Sequence, residues 1–85
     1  MSELDDRFAA AAETSKTLPE RPDNDTLLQM YALYKQGTVG DVQGKKPGFT
    51  DPVGKATYQA WEKIKGMSAD DAKAKYADLV ESMAG

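Results

Sequence analysis

The chain contains no cysteine and no histidine. Without thiols it has neither disulfides nor a thiolate metal site. Without imidazole it lacks the commonest general base and the commonest metal ligand, so catalysis would rest on paired carboxylates. Two such pairs exist, Asp5-Asp6 and Asp70-Asp71. Both fall at expected helix starts, where acidic residues complement the positive end of the helix dipole. The chain therefore reads as a binding protein rather than an enzyme, with no metal and no catalytic cofactor expected. Long apolar runs are missing too. Nothing approaches the ~20 residues of a membrane span, so no stable membrane insertion is expected. The acidic opening Met1-Ser2-Glu3-Leu4-Asp5-Asp6 has no apolar run behind it and is not a signal peptide, which points to a cytoplasmic protein.

What is present fits one small domain, residues 1–85. A chain this short buries a modest core and needs well-formed helices. Its net charge of −3 argues against nonspecific nucleic-acid binding. That charge is unevenly spread. Residues 1–34 carry three Lys/Arg against seven Asp/Glu, residues 35–65 six against three, and residues 66–85 two against four. A basic middle third inside an acidic chain suits a polyanionic small molecule, although six such lysines also serve as ordinary solubility charge.

Periodicity predicts four helices and no strand. The first runs from about Glu3 to Lys16, with Ser2 as its cap and Leu4, Phe8, Ala11, Ala12 and Ser15 as a narrow apolar stripe. Pro19 and Pro22 then break the helix. Asp23 or Asn24 caps a second helix, from about Asp25 to Gln36, and Gly37 is placed to end it. Residues 37–51 form a long Gly-rich connection, with Val39, Val42 and Phe49 expected to pin it to the core. Such a connection lets two consecutive helices run parallel. Asp51-Pro52 starts a third helix to about Lys65, with Val53, Ala60, Trp61 and Ile64 inward. Ser68 caps the fourth, whose stripe is Ala72, Tyr76, Leu79, Val80 and Met83.

Tyr31, Tyr34 and Lys35 stand at i, i+3 and i+4 of the second helix, hence on one face. Two aromatic planes and a cation suit a ligand with a flat ring and a phosphate. The same spacing also fits two half-buried core tyrosines with Lys35 as a solvated flank.

The segment Tyr31-x-x-Tyr34-Lys35-Gln36-x-Thr38-Val39-Gly40-Asp41 resembles the signature of the acyl-CoA-binding protein family. The similarity continues through Lys46-Pro47-Gly48, Gly54-Lys55-Ala56, Ala60-Trp61, Ile64-Lys65-Gly66 and Tyr76, from about Phe8 to about Glu81. The resemblance implies an all-α, up-down-down-up four-helix bundle. It would bind one long-chain fatty acyl-CoA per monomer and act as an intracellular carrier and pool former that serves acyl-CoA-using enzymes. By resemblance, Tyr31 and Lys35 meet the 3′-phosphate, Tyr34 lies beside the adenine and Tyr76 closes on the ligand. Lys16 lies near the nucleotide, and Ala12 and Leu28 lie along the acyl groove. Lys55 sits in the matching Gly-Lys-Ala without being the main phosphate ligand. One position departs from the pattern: Thr57 stands where the family has a further phosphate-binding lysine. Two other classes of protein come into question. An acyl carrier protein would need an Asp-Ser-Leu serine opening the second helix, where this chain has Asp23-Asn24-Asp25-Thr26. A protein-interaction helical module would leave the tyrosine–lysine face unexplained.

Overall fold

A computed structural model gives the fold and describes residues 3–20, 22–44, 48 and 50–84. Helix α1 spans Glu3–Ser15, α2 Asn24–Thr38, α3 Pro52–Lys63 and α4 Ala69–Ala84. No strand occurs among the described residues. The starts follow the capping chemistry. The Asp23 carboxylate accepts from the Thr26 amide at 2.8 Å, and Asp51 accepts from the Gly54 amide at 3.0 Å, ahead of Pro52. Ser68 Oγ accepts from the Asp71 amide at 3.1 Å. The Ser2 cap and the Phe49 anchor lie outside the described residues.

Four expectations are corrected. Helix α2 does not stop at Gly37; it continues to Thr38. Gly40 is the glycine that ends it, with φ +98° and its amide donating to the Lys35 carbonyl at 3.2 Å. Gly37 instead lies buried where a Cβ would come within 3.0 Å of Lys73 Cγ and 3.6 Å of Phe8 Cζ, so it permits close packing. Val39 does not pin the loop, being 47% exposed, and Val53 does not face inward, being 73% exposed. Val53 occupies the first turn of α3. Helix α3 also ends slightly early. Ile64 and Lys65 close it with i→i−3 bonds to Trp61 and Glu62, the tightened last turn common at helix ends.

Helix α4 packs on α1 and α2, and α2 also packs on α3. The contacts set the directions. Asp5 bonds Lys73 at 2.7 Å, while Thr14 and Ala84 border one shallow depression, so α1 and α4 run the same way. Gln36, near the end of α2, reaches the Met67 carbonyl just before α4, so that pair is antiparallel. Gln36 also meets Trp61, near the end of α3, so α2 and α3 run together. The result is an up-down-down-up bundle. Phe8, Ala11, Met30, Leu33, Ala72, Tyr76, Ala77 and Val80 form its core. Because α3 packs on α2 alone among the described helices, a cleft stays open over α2 between α3 and α4.

Candidate functional site

Helix α2 presents Tyr31, Tyr34 and Lys35 together. Both phenols are half-exposed, Tyr31 at 39% and Tyr34 at 42%. Neither is therefore a plain core residue. Lys35 Nζ lies 5.7 Å from the Tyr31 ring centroid, a cation–π distance that steadies the ammonium on the surface. The Tyr34 ring stacks 5.5 Å from Phe8 of α1 and sits 5.8 Å from Tyr76 of α4. Phe8 and Tyr76 meet edge-on at 5.2 Å, which closes an aromatic triangle from three helices. Tyr76 is the buried corner, at 4% exposure, and its hydroxyl donates to Ser15 Oγ at 3.3 Å. That bond brings the end of α1 to the cluster. Lys16, the next residue, is exposed, with Nζ 3.4 Å from Glu13.

The cleft is a second feature. It encloses about 640 Å³ and is lined by Leu28, Ala32 and Leu33 of α2, by Ala56 and Ala60 of α3, and by Met67, among others. Its size falls within the roughly 300–1,000 Å³ of small-molecule sites. Apolar and polar side chains share its lining, with Asp25, Gln29, Gln59, Lys63 and Lys75 standing among the leucines and alanines. Leu28 belongs to both features. It stands one turn before Tyr31 on α2, and Tyr31 one turn before Lys35, so a single stripe leads from the cleft to the ammonium. Of the residues assigned to the ligand by resemblance, Leu28 alone lines the cleft. Ala12 packs against the core cluster instead. Lys55 and Thr57 sit half-buried on α3. The Thr57 hydroxyl donates to the Gly54 carbonyl of its own helix at 2.9 Å, so its proton is already in use.

The site also rests on residues that sequence reasoning passed over. Gln36, at 1% exposure, donates through Nε2 to the Asp41 carboxylate at 2.8 Å and the Met67 carbonyl at 2.7 Å. Asp41 accepts further from the Gly66 amide at 2.8 Å. These bonds, reinforced by the nearby Lys65 charge, hold the Asp41 carboxyl below the usual carboxylate range. Their available signal was their place in the motif Lys35-Gln36-x-Thr38-Val39-Gly40-Asp41. Phe8 and Ser15 belonged to the α1 stripe, and nothing there marked them as partners of Tyr76.

This helix order, with an aromatic–cationic face beside an open cleft, defines a helical bundle of the small-ligand-binding class. Residues 5–80 match the family model described as acyl CoA binding protein. The chain is 53% identical over 76 residues to acyl-CoA-binding protein homolog 1 of Caenorhabditis elegans, covering 89% of this chain and 88% of that relative. It is 42% identical over 76 residues to the acyl-CoA-binding protein of Saccharomyces cerevisiae, covering 89% and 87%. The crystal structure of Oryza sativa acyl-CoA-binding protein 2 superposes with a TM-score of 0.90 at 36% identity, over 94% of this chain and 87% of that one. The chain belongs to the acyl-CoA-binding protein family.

Proposed function

We propose that residues 1–85 act as a single domain that binds one long-chain fatty acyl-CoA ester per monomer. The protein is a cytoplasmic carrier and pool former, not an enzyme, and it delivers its ligand to acyl-CoA-using enzymes. The observation that carries this reading is the stripe Leu28–Tyr31–Lys35, which joins a partly apolar cleft to a cationic, aromatic face. An acyl-CoA has the same polarity, with an apolar tail and an anionic, adenine-bearing head. The names of its relatives in worm, yeast and rice support the same ligand.

Roles follow from the chemistry. Tyr34 offers a ring for stacking, while Tyr31 and Lys35 offer a hydroxyl and an ammonium to phosphate. Lys16 adds positive charge at the end of α1. Tyr76 closes the site from α4. Leu28 and the cleft alanines take the acyl chain, each buried methylene contributing up to about 0.8 kcal/mol. Lys55 supplies general positive potential, and Thr57 is a weak point in the phosphate grip. An acyl-carrier role is not favoured, since no serine opens α2.

Titration calorimetry with palmitoyl-CoA, CoA and palmitate tests the reading. One palmitoyl-CoA should bind per chain, far more tightly than either fragment. Equal affinity for palmitate and palmitoyl-CoA would contradict it. In the same assay Lys35→Ala should weaken palmitoyl-CoA binding by roughly 1.5–3 kcal/mol, the range for a charged hydrogen bond, while the fold is kept.

A further inference from the structure

We infer that Ser15 is a positioning residue that withholds the Tyr76 hydroxyl proton from the ligand and so limits affinity. The inference rests on the acyl-CoA reading above and deepens it. Ser15 Oγ donates its single proton to the Ala12 carbonyl at 2.7 Å. It therefore faces Tyr76 only as an acceptor, and the direction of the Tyr76–Ser15 bond is fixed: the phenol donates. The Tyr76 proton is thus committed within the protein. Phe8 and Tyr34 flank the ring at 5.2 Å and 5.8 Å and hold it against swinging elsewhere.

The chemistry of the ligand makes this commitment matter. Phosphate oxygens, the thioester carbonyl and amide carbonyls of a CoA ester are all acceptors. A phenol contributes to them through its proton, and here the proton already has an acceptor. The competing bond is long for O–H···O at 3.3 Å and only partly buried, so it can be exchanged. Ligand contact through this proton then requires the Tyr76 hydroxyl to rotate away from Ser15. The net gain is the difference between two similar hydrogen bonds rather than one whole bond.

Removing the competitor tests this. Ser15→Ala leaves the Tyr76 proton without its acceptor and should tighten palmitoyl-CoA binding about two- to tenfold, the range for one net hydrogen bond. The same substitution should leave thermal stability unchanged or lower, because an internal bond is lost. A residue with a purely structural role would not tighten binding while loosening the fold. In a Tyr76→Phe background Ser15→Ala should do nothing to affinity, since no phenol proton remains. Ser15→Thr, which keeps the hydroxyl, should hold wild-type affinity. Unchanged or weaker binding by Ser15→Ala, or an equal gain in the Tyr76→Phe background, overturns the inference while leaving the acyl-CoA reading intact. Failure of the wild-type protein to bind palmitoyl-CoA overturns that reading and the inference together.

Discussion

The Trp61 indole donates to Gln36 Oε1 at 3.0 Å, which ties α3 to the buried end of α2. The same N–H lies 2.9 Å from the Gly40 carbonyl, so one side chain also holds the turn that ends α2. Gln36 spends its amide on Asp41 and Met67. Four segments meet at this point: α2, the turn after it, α3 and the entry to α4. Lys35 is the immediate neighbour of Gln36 on α2. Trp61→Phe removes part of a buried ring and also leaves the Gln36 acceptor unpaired. We expect a loss of about 1–3 kcal/mol in urea unfolding, the cost of an unsatisfied buried polar group. A loss of under about 0.5 kcal/mol, as for a neutral surface change, would show that the junction is dispensable.

Asp41 gives the junction a pH dependence. Its carboxyl is held below its ordinary value of 3.8, first by the Gly66 amide and then by Gln36. The unfolded chain therefore binds the proton more readily, and stability rises with pH across this range. The contribution is fully present above about pH 4 and is lost as pH falls through the lowered folded value. Asp41→Asn retains an accepting oxygen but not the charge. Its melting temperature should fall less steeply than wild type below pH 4, as read by circular dichroism. Parallel acid profiles for the two proteins would remove Asp41 from the account.

Gly37 provides a packing test. Glycine inside a helix ordinarily costs roughly 0.5–1 kcal/mol relative to alanine. Here a methyl would press on Lys73 Cγ at 3.0 Å, and that lysine is tethered by its 2.7 Å bond to Asp5. Gly37→Ala should therefore lower the melting temperature. In a Lys73→Ala background the obstruction is gone, and the substitution should stabilise by about 0.5–1 kcal/mol. Stabilisation by Gly37→Ala alone would show that Lys73 yields freely.

Thr57 bears on salt dependence. Its hydroxyl proton goes to Gly54, so it offers a phosphate neither charge nor donor. Thr57→Lys should tighten palmitoyl-CoA binding. The gain should fall between an exposed pair at under about 1 kcal/mol and a charged hydrogen bond at about 1.5–3 kcal/mol. It should also steepen the loss of affinity with added salt, because one more charge is screened. A CoA ester without the 3′-phosphate is the control, and there the substitution should do little. Equal gains with both ligands would place position 57 away from that phosphate.

Helix starts were legible because capping is local chemistry. Asp23, Asp51 with Pro52, and Ser68 each bond an amide within their own first turn. The tyrosine–lysine face was legible because i, i+3, i+4 spacing fixes a shared side. The role of Gly37 was not, since a glycine that ends a helix and one that lets another helix approach look alike in sequence. Only the tertiary position of Lys73 separates them. The exposure of Val53 and Val39 is not legible for a related reason: an apolar residue signals burial only where a neighbouring element covers it. The cleft could not be read from the chain either, because it exists through the absence of packing between α3 and α4.

The most direct test of the account is an amide NMR titration with CoA and then with palmitoyl-CoA. The account predicts that CoA shifts residues around Tyr31, Tyr34 and Lys35 and leaves the cleft still. Palmitoyl-CoA should shift that same face and, in addition, Leu28, Ala32, Ala56 and Ala60. Shifts confined to the depression between α1 and α4, or an acyl-chain response that leaves Leu28, Ala56 and Ala60 unmoved, would contradict it.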